Sequence, residues 1–155
     1  MQGEPTPPRP RLDLSKAGSS RLEALYNSVT KGASETPRSL HVKSILAMQN
    51  ARLGDAAELA GKAVAAQPES PDYQRQLGFI CAEAGWPRLA ILALNRAIYL
   101  DPKDFEAWFV LGQVFDRNTH AAEARICYSQ AINLEPRYVK AKRALKIVEA
   151  MLEPV

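Results

Sequence analysis

No apolar run in the 155-residue chain approaches the roughly 18–20 residues that a bilayer span requires. The opening residues, MQGEPTPPRPRLDL, hold no continuous apolar stretch, so no secretory signal is readable there. Cysteine is scarce: Cys81 and Cys127 stand alone, with neither a CxxC pair nor a Cys/His metal spacing. Free, buried thiols in a reducing compartment are therefore expected, with the cytoplasm as the location. Charge of one sign is also lacking. The 20 Lys and Arg against 17 Asp and Glu leave a net charge of +3, too small to demand nucleic acid as an obligate partner. The two histidines, His41 and His120, lie far apart, neither in a nucleophile motif, and no Gly-rich phosphate loop or metal-ligand cluster is present. The chain is not expected to be an enzyme, and it calls for no cofactor and no metal.

What the sequence does contain is a period. Pro68, Pro102 and Pro136 are equally spaced; Ala63, Ala97 and Ala131 stand five positions before them, and Ala56, Ala90 and Ala124 twelve before. Leu77-Gly78 and Leu111-Gly112 repeat at the same interval. A fixed period of this length marks a stack of like supersecondary units, each unable to bury its apolar face alone.

The ends of the units are legible as well. Thr36-Pro37 and Ser70-Pro71 offer an N-cap followed by proline at the first helical position, and Asp104 caps the equivalent place in the third unit. Breaks at Gly54-Asp55, Gly85-Trp86-Pro87 and Asn118-Thr119-His120 divide each unit into two helices. Helix pairs are predicted at 38–52 with 55–66, 71–84 with 87–100, and 105–117 with 121–134, followed by an unpaired helix over 138–152. Before them, residues 1–19 carry Pro5, Pro7, Pro8 and Pro10 and read as a disordered tail with some polyproline character. Residues 20–36 read as a short helix and linker, opened by a capping box at Ser20 and Glu23 and striped by Leu22, Leu25, Tyr26 and Val29. That helix is a cover for the array, a detachable element or a self-docking one.

The third unit carries Trp108, Leu111, Gly112, Phe115, Ala124, Tyr128, Ala131 and Pro136 at positions 4, 7, 8, 11, 20, 24, 27 and 32. In this it resembles the tetratricopeptide repeat, a helix–turn–helix unit of about 34 residues. The second unit matches nearly as well but has Gln74 at position 4 and Cys81 at position 11. The first matches only in its second half: Lys43-Ser44 replaces the Leu-Gly pair, and its turn, placed at Gly54, falls three residues late. The resemblance implies an all-α fold, a right-handed superhelical stack of three repeats (about 37–70, 71–104 and 105–138) with a C-terminal capping helix. In the capping helix Lys140, Lys142, Arg143 and Lys146 surround Val139, Ala144, Leu145 and Val148. This basic set is either a solvated outer face or a patch for an acidic peptide or nucleic acid.

In that family the first helix of each pair lines a concave groove. The resemblance places Arg75, Gln76, Phe79 and Glu83 of the second unit and Phe109, Val110, Gln113 and Arg117 of the third in the groove, with Arg143 from the last helix. Asp72, Ala82, Glu106, Asp116, Lys140 and Ile147 share the phase, and His41, Ile45 and Met48 are the first unit's contributors. Phe79, Phe109, Val110 and Ile147 would form an apolar stripe flanked by Arg75, Arg117 and Arg143, or else the two phenylalanines pack against neighbouring helices. The carboxylate clamp by which some such repeats hold chaperone tails is absent, because Glu106 and Val110 occupy its cationic places. The expected function is a protein-interaction module, adaptor or chaperone-like, that binds a peptide or amphipathic helix of another protein. The alternatives are a self-assembling scaffold using the N-terminal helix, a non-catalytic targeting domain, or weak RNA binding through the basic last helix.

Overall fold

The computed structural model describes residues 35–154. The expected tail (1–19) and all but the last two residues of the expected short helix and linker (20–36) lie outside the described residues. Seven helices follow one another: α1 Pro37–Gln49, α2 Leu53–Ala66, α3 Pro71–Glu83, α4 Pro87–Leu100, α5 Phe105–Arg117, α6 Ala121–Leu134 and α7 Val139–Leu152. Among the described residues there is no strand. Each helix packs on the next, most extensively within the pairs α1–α2, α3–α4 and α5–α6. The architecture is an all-α stack of three helix–turn–helix units sealed by α7. No helix among the described residues is long and apolar enough to cross a membrane.

The first helix of every pair starts on a side-chain cap. Thr36 accepts from the Ser39 N–H in a reciprocal capping box, Ser70 accepts from the Tyr73 N–H, and Asp104 accepts from the Ala107 N–H. The turn inside each pair is one motif used three times. The amides of Arg52, Trp86 and His120 each donate to the carbonyl five residues back, at 2.9 Å, and Ala51, Gly85 and Thr119 before them have positive φ. This is the Schellman ending, which satisfies the last carbonyls of a helix by turning one residue left-handed.

The first unit is thus in register with the others, correcting the expectation that its turn lies at Gly54 and its first helix runs to residue 52. Ala51, one full period before Gly85, makes the turn at φ 59°, and Gly54 lies inside α2. The glycine misled because it usually supplies this conformation, whereas alanine adopts it at a cost of about 1–2 kcal/mol.

Close approach of the paired helices depends on small residues. Ala56, Ala63, Ala90, Ala97, Ala124 and Ala131 are completely buried. A Cβ on Gly78 would stand 2.6 Å from Leu94 Cγ, and one on Gly112 would stand 2.6 Å from Tyr128 Cε1. Burying Leu94 completely contributes about 2 kcal/mol, and the glycine makes that seat available. In the first unit the equivalent places hold Ser44 and Ala60, both buried, so a larger residue on one helix accompanies a smaller one on the other. The departure at Gln74 has a similar explanation. Its Nε2 donates to the Pro68 carbonyl at 3.0 Å, just as Trp108 Nε1 donates to the Pro102 carbonyl at 3.3 Å.

At the C-terminal end, α7 buries Ala141 and Val148 and exposes Lys140, Lys142, Arg143 and Lys146. Val139 is 55% exposed rather than packed, whereas Ala141 joins the buried core cluster.

Candidate functional site

Because α3, α5 and α7 are the first helices of successive units, residues at like positions on them face the same way. They enclose an open cavity of about 830 Å³. From α3 it is lined by Arg75, Gln76, Phe79 and Glu83; from α5 by Glu106, Phe109, Val110 and Gln113; from α7 by Lys140, Arg143, Ala144 and Ile147. Of the residues the sequence placed in the groove, Arg117 stands apart. Its guanidinium is turned to Glu83 at 3.0 Å, and it lines a separate recess of about 210 Å³ beside Gly85 and Asn118. Asp72, Ala82 and Asp116 share the phase but do not line the cavity, and neither do His41, Ile45 and Met48 of the first unit. The His41 ring lies 4.9 Å from that of Tyr73, its buried Nδ1 has no hydrogen-bond partner among the described residues, and desolvation lowers its pKa.

Two lining residues, Tyr138 and Ala144, were not among those the sequence placed in the groove, and Tyr138 is the larger. It occupies the N-cap of α7, the place that Ser70 and Asp104 hold in earlier units, yet makes no capping bond. Its ring instead closes edge-on over Phe105 at 5.0 Å and over Phe109 at 5.1 Å. The available signal was a bulky aromatic at a position that elsewhere caps a helix.

These rings decide the exposure of the apolar stripe. Phe109 and Val110 are each only 9% exposed and form the floor of the cavity. The Phe109 ring is held between Tyr138 and Tyr128, so the alternative in which it packs on neighbouring helices accounts for most of its surface. Phe79 is half-buried, and Ile147, 56% exposed, forms the apolar rim opposite.

Charge is distributed unequally. Arg75 donates to Asp104 Oδ2 at 2.7 Å and lies 3.3 Å from Asp72 and 3.4 Å from Glu106. Desolvation opposes its charge, but the hydrogen bond to Asp104 and the surrounding carboxylates outweigh it and raise its pKa. Lys140 and Arg143 are exposed and, among the described residues, have no carboxylate within 4.0 Å. The thiols take no part: Cys81 and Cys127 are free and buried, and desolvation and the Glu123 charge push Cys127 up to about 11.

The tetratricopeptide repeat family model matches residues 105–138. Over the described helices the chain has the fold of such repeats. Its fold is shared with the crystal structure of MamA, at a TM-score of 0.76 and 23% identity over 90% of this chain and 85% of that one. The tetratricopeptide repeat (TPR) domain of Sgt2 from Aspergillus fumigatus matches at a TM-score of 0.73 and 21% identity, covering 81% and 89% of the two chains. The first TPR of Spaghetti (RPAP3), bound to the HSP90 peptide SRMEEVD, matches at 0.73 and 19%, covering 77% and 95%. At these identities the likeness is one of fold. No curated protein sequence matches the chain. The cavity described above lies on the face that the first helices of the TPR stack share.

Proposed function

We propose that the TPR domain, residues 37–152, is a protein-interaction module that holds a peptide segment or amphipathic helix of a partner in the groove between α3, α5 and α7. The observation that carries this reading is the cavity itself: about 830 Å³, with an apolar floor of Phe109 and Val110 and a rim of polar and charged side chains. Such a surface gives affinity through apolar anchors and fixes orientation through its rim. A neighbour of the same fold, the first TPR of Spaghetti, is bound to a peptide. Recognition here would be non-covalent, in an adaptor or chaperone-like role in the cytoplasm. The occupant would differ from that chaperone peptide in how it is held, since Glu106 and Val110 stand where the clamp has cations. The test is site-specific photocrosslinking in cells with benzoylphenylalanine at Ile147 on the groove rim or at Tyr99 on the opposite, second-helix side. Polypeptide crosslinks are expected at residue 147 and not at 99, and the reverse pattern would refute the reading.

A further inference from the structure

Position 5 of successive units holds Arg75, Phe109 and Arg143, so the sequence offers two arginines at equivalent places on either side of an aromatic. The structure makes them inequivalent. Arg75 is enclosed by the carboxylates of Asp104, Asp72 and Glu106, so around Arg75, where α3 meets the start of α5, negative charge exceeds positive. Glu83, an acid on the α3 wall, is engaged by Arg117. On the α7 side, Lys140 and Arg143 stand three residues apart on one helix face, exposed, with no carboxylate within 4.0 Å among the described residues.

We propose that the groove selects a segment of another polypeptide that is acidic at one end and aliphatic or aromatic next to it, its carboxylate seated between Lys140 and Arg143 and its apolar side chain against Phe109, Val110 and Ile147. This rests on the groove reading above and adds the ligand's chemistry and direction. A guanidinium takes a carboxylate through two parallel N–H bonds, and an ammonium one helical turn away adds a mobile point charge. Beside them the floor is already desolvated, which strengthens the pair and rewards an apolar neighbour. The acidic surroundings of Arg75 repel a second carboxylate, so the segment lies with its acid toward α7 and its neutral or basic end toward α3. Arg75 contributes no vacancy, because an incoming acid would have to displace carboxylates of the protein's own.

Fluorescence anisotropy on the full chain in about 0.15 M salt, near the physiological ionic strength, tests this. The probes are three labelled nonapeptide pools sharing Leu, Ile and Phe and differing only in their polar half: Asp/Glu, Asn/Gln or Lys/Arg. The acidic pool should bind at least tenfold tighter than the Asn/Gln pool. Lys140→Glu with Arg143→Glu should invert the order in favour of the Lys/Arg pool. The same charge change on exposed second-helix residues, Arg88→Glu with Arg125→Glu, should not invert it. An acidic preference that is missing in the wild type, or that survives the α7 double reversal, overturns the proposal. If all pools bind alike and Ile147→Asp abolishes them all, the groove reading stands while this inference falls; if Ile147→Asp leaves binding unchanged, both fall. Displacement of the acidic pool by oligouridylate at equal charge concentration would assign the cation pair to nucleic acid and overturn it as well.

Discussion

Arg75 of the second repeat donates at 2.7 Å to Asp104, the residue that caps the first helix of the third. One oxygen of Asp104 receives the guanidinium while the other receives the Ala107 N–H, so a single carboxylate, 6% exposed, joins a cap to an inter-repeat bond. Arg75→Gln should therefore act on the stack before it acts on any ligand, costing about 2 kcal/mol, the scale of a charge-assisted hydrogen bond. Asp104→Ala loses the cap as well and should cost about 3 kcal/mol. Urea unfolding of both single variants and the double variant measures this, and additive losses would show the two residues to be uncoupled.

The left-handed turns give an opposite sign. Ala51→Gly and Thr119→Gly remove a Cβ from residues at φ 59° and 64° and should each stabilise by about 0.5–1 kcal/mol after the entropy of glycine is offset. Gly85→Ala, at φ 75°, should destabilise by about 1 kcal/mol. Denaturation midpoints moving the other way would contradict the turn geometry.

Gly112 and Tyr128 form a matched pair. Gly112→Ala places a methyl 2.6 Å from the ring and should cost about 2 kcal/mol by overpacking. Gly112→Ser combined with Tyr128→Ala reproduces the Ser44 and Ala60 arrangement of the first repeat and should be less damaging than the sum of its parts. A thermodynamic cycle with no favourable coupling would disprove the exchange of volume across the helix pair.

His41 links stability to pH. Desolvation lowers its pKa from 6.5, with Asp72 opposing and Arg75 assisting. The folded state therefore binds fewer protons at this site than the unfolded state near that pH, and protonation favours unfolding. The contribution is complete above about 6.5 and declines as pH falls below it, until the folded-state pKa is passed. His41→Phe keeps a ring against Tyr73 and should flatten this part of the profile between pH 7 and 5, read by urea unfolding at each pH. An unchanged slope would assign it to other groups.

Much of the stack was legible in the residues that recur, because helix packing demands small side chains at fixed intervals and leaves them visible. Ala56, Ala90 and Ala124 announce the period wherever the eye starts. The turn at Ala51 was not legible, since its left-handed conformation is imposed by the hydrogen bonds of its neighbours and leaves no mark on an alanine. Tyr138 was hidden for a similar reason: its partners Phe105 and Phe109 lie two helices back along the chain, and only the fold brings the rings together. Arg75 and Arg143 look alike in the sequence, and the distinction between them comes from where Asp104 ends up. Periodicity displays what packs, whereas charge pairing is settled by the superposition of units.

The paired small residues of the first repeat have a consequence for how the molecule comes apart. Ala47, Ala56 and Ala60 with Ile80 make a slender nucleus there, while the large side chains of Leu94, Phe109, Leu111 and Tyr128 belong to a second cluster that runs to Val148. In a linear array the thinner interface opens first. Amide exchange should accordingly be fastest in α1 and α2 and slowest in α5 and α6, and uniform exchange would refute it. The walls of the groove, α3, α5 and α7, all lie outside the first repeat, so fraying of that repeat would leave the groove assembled.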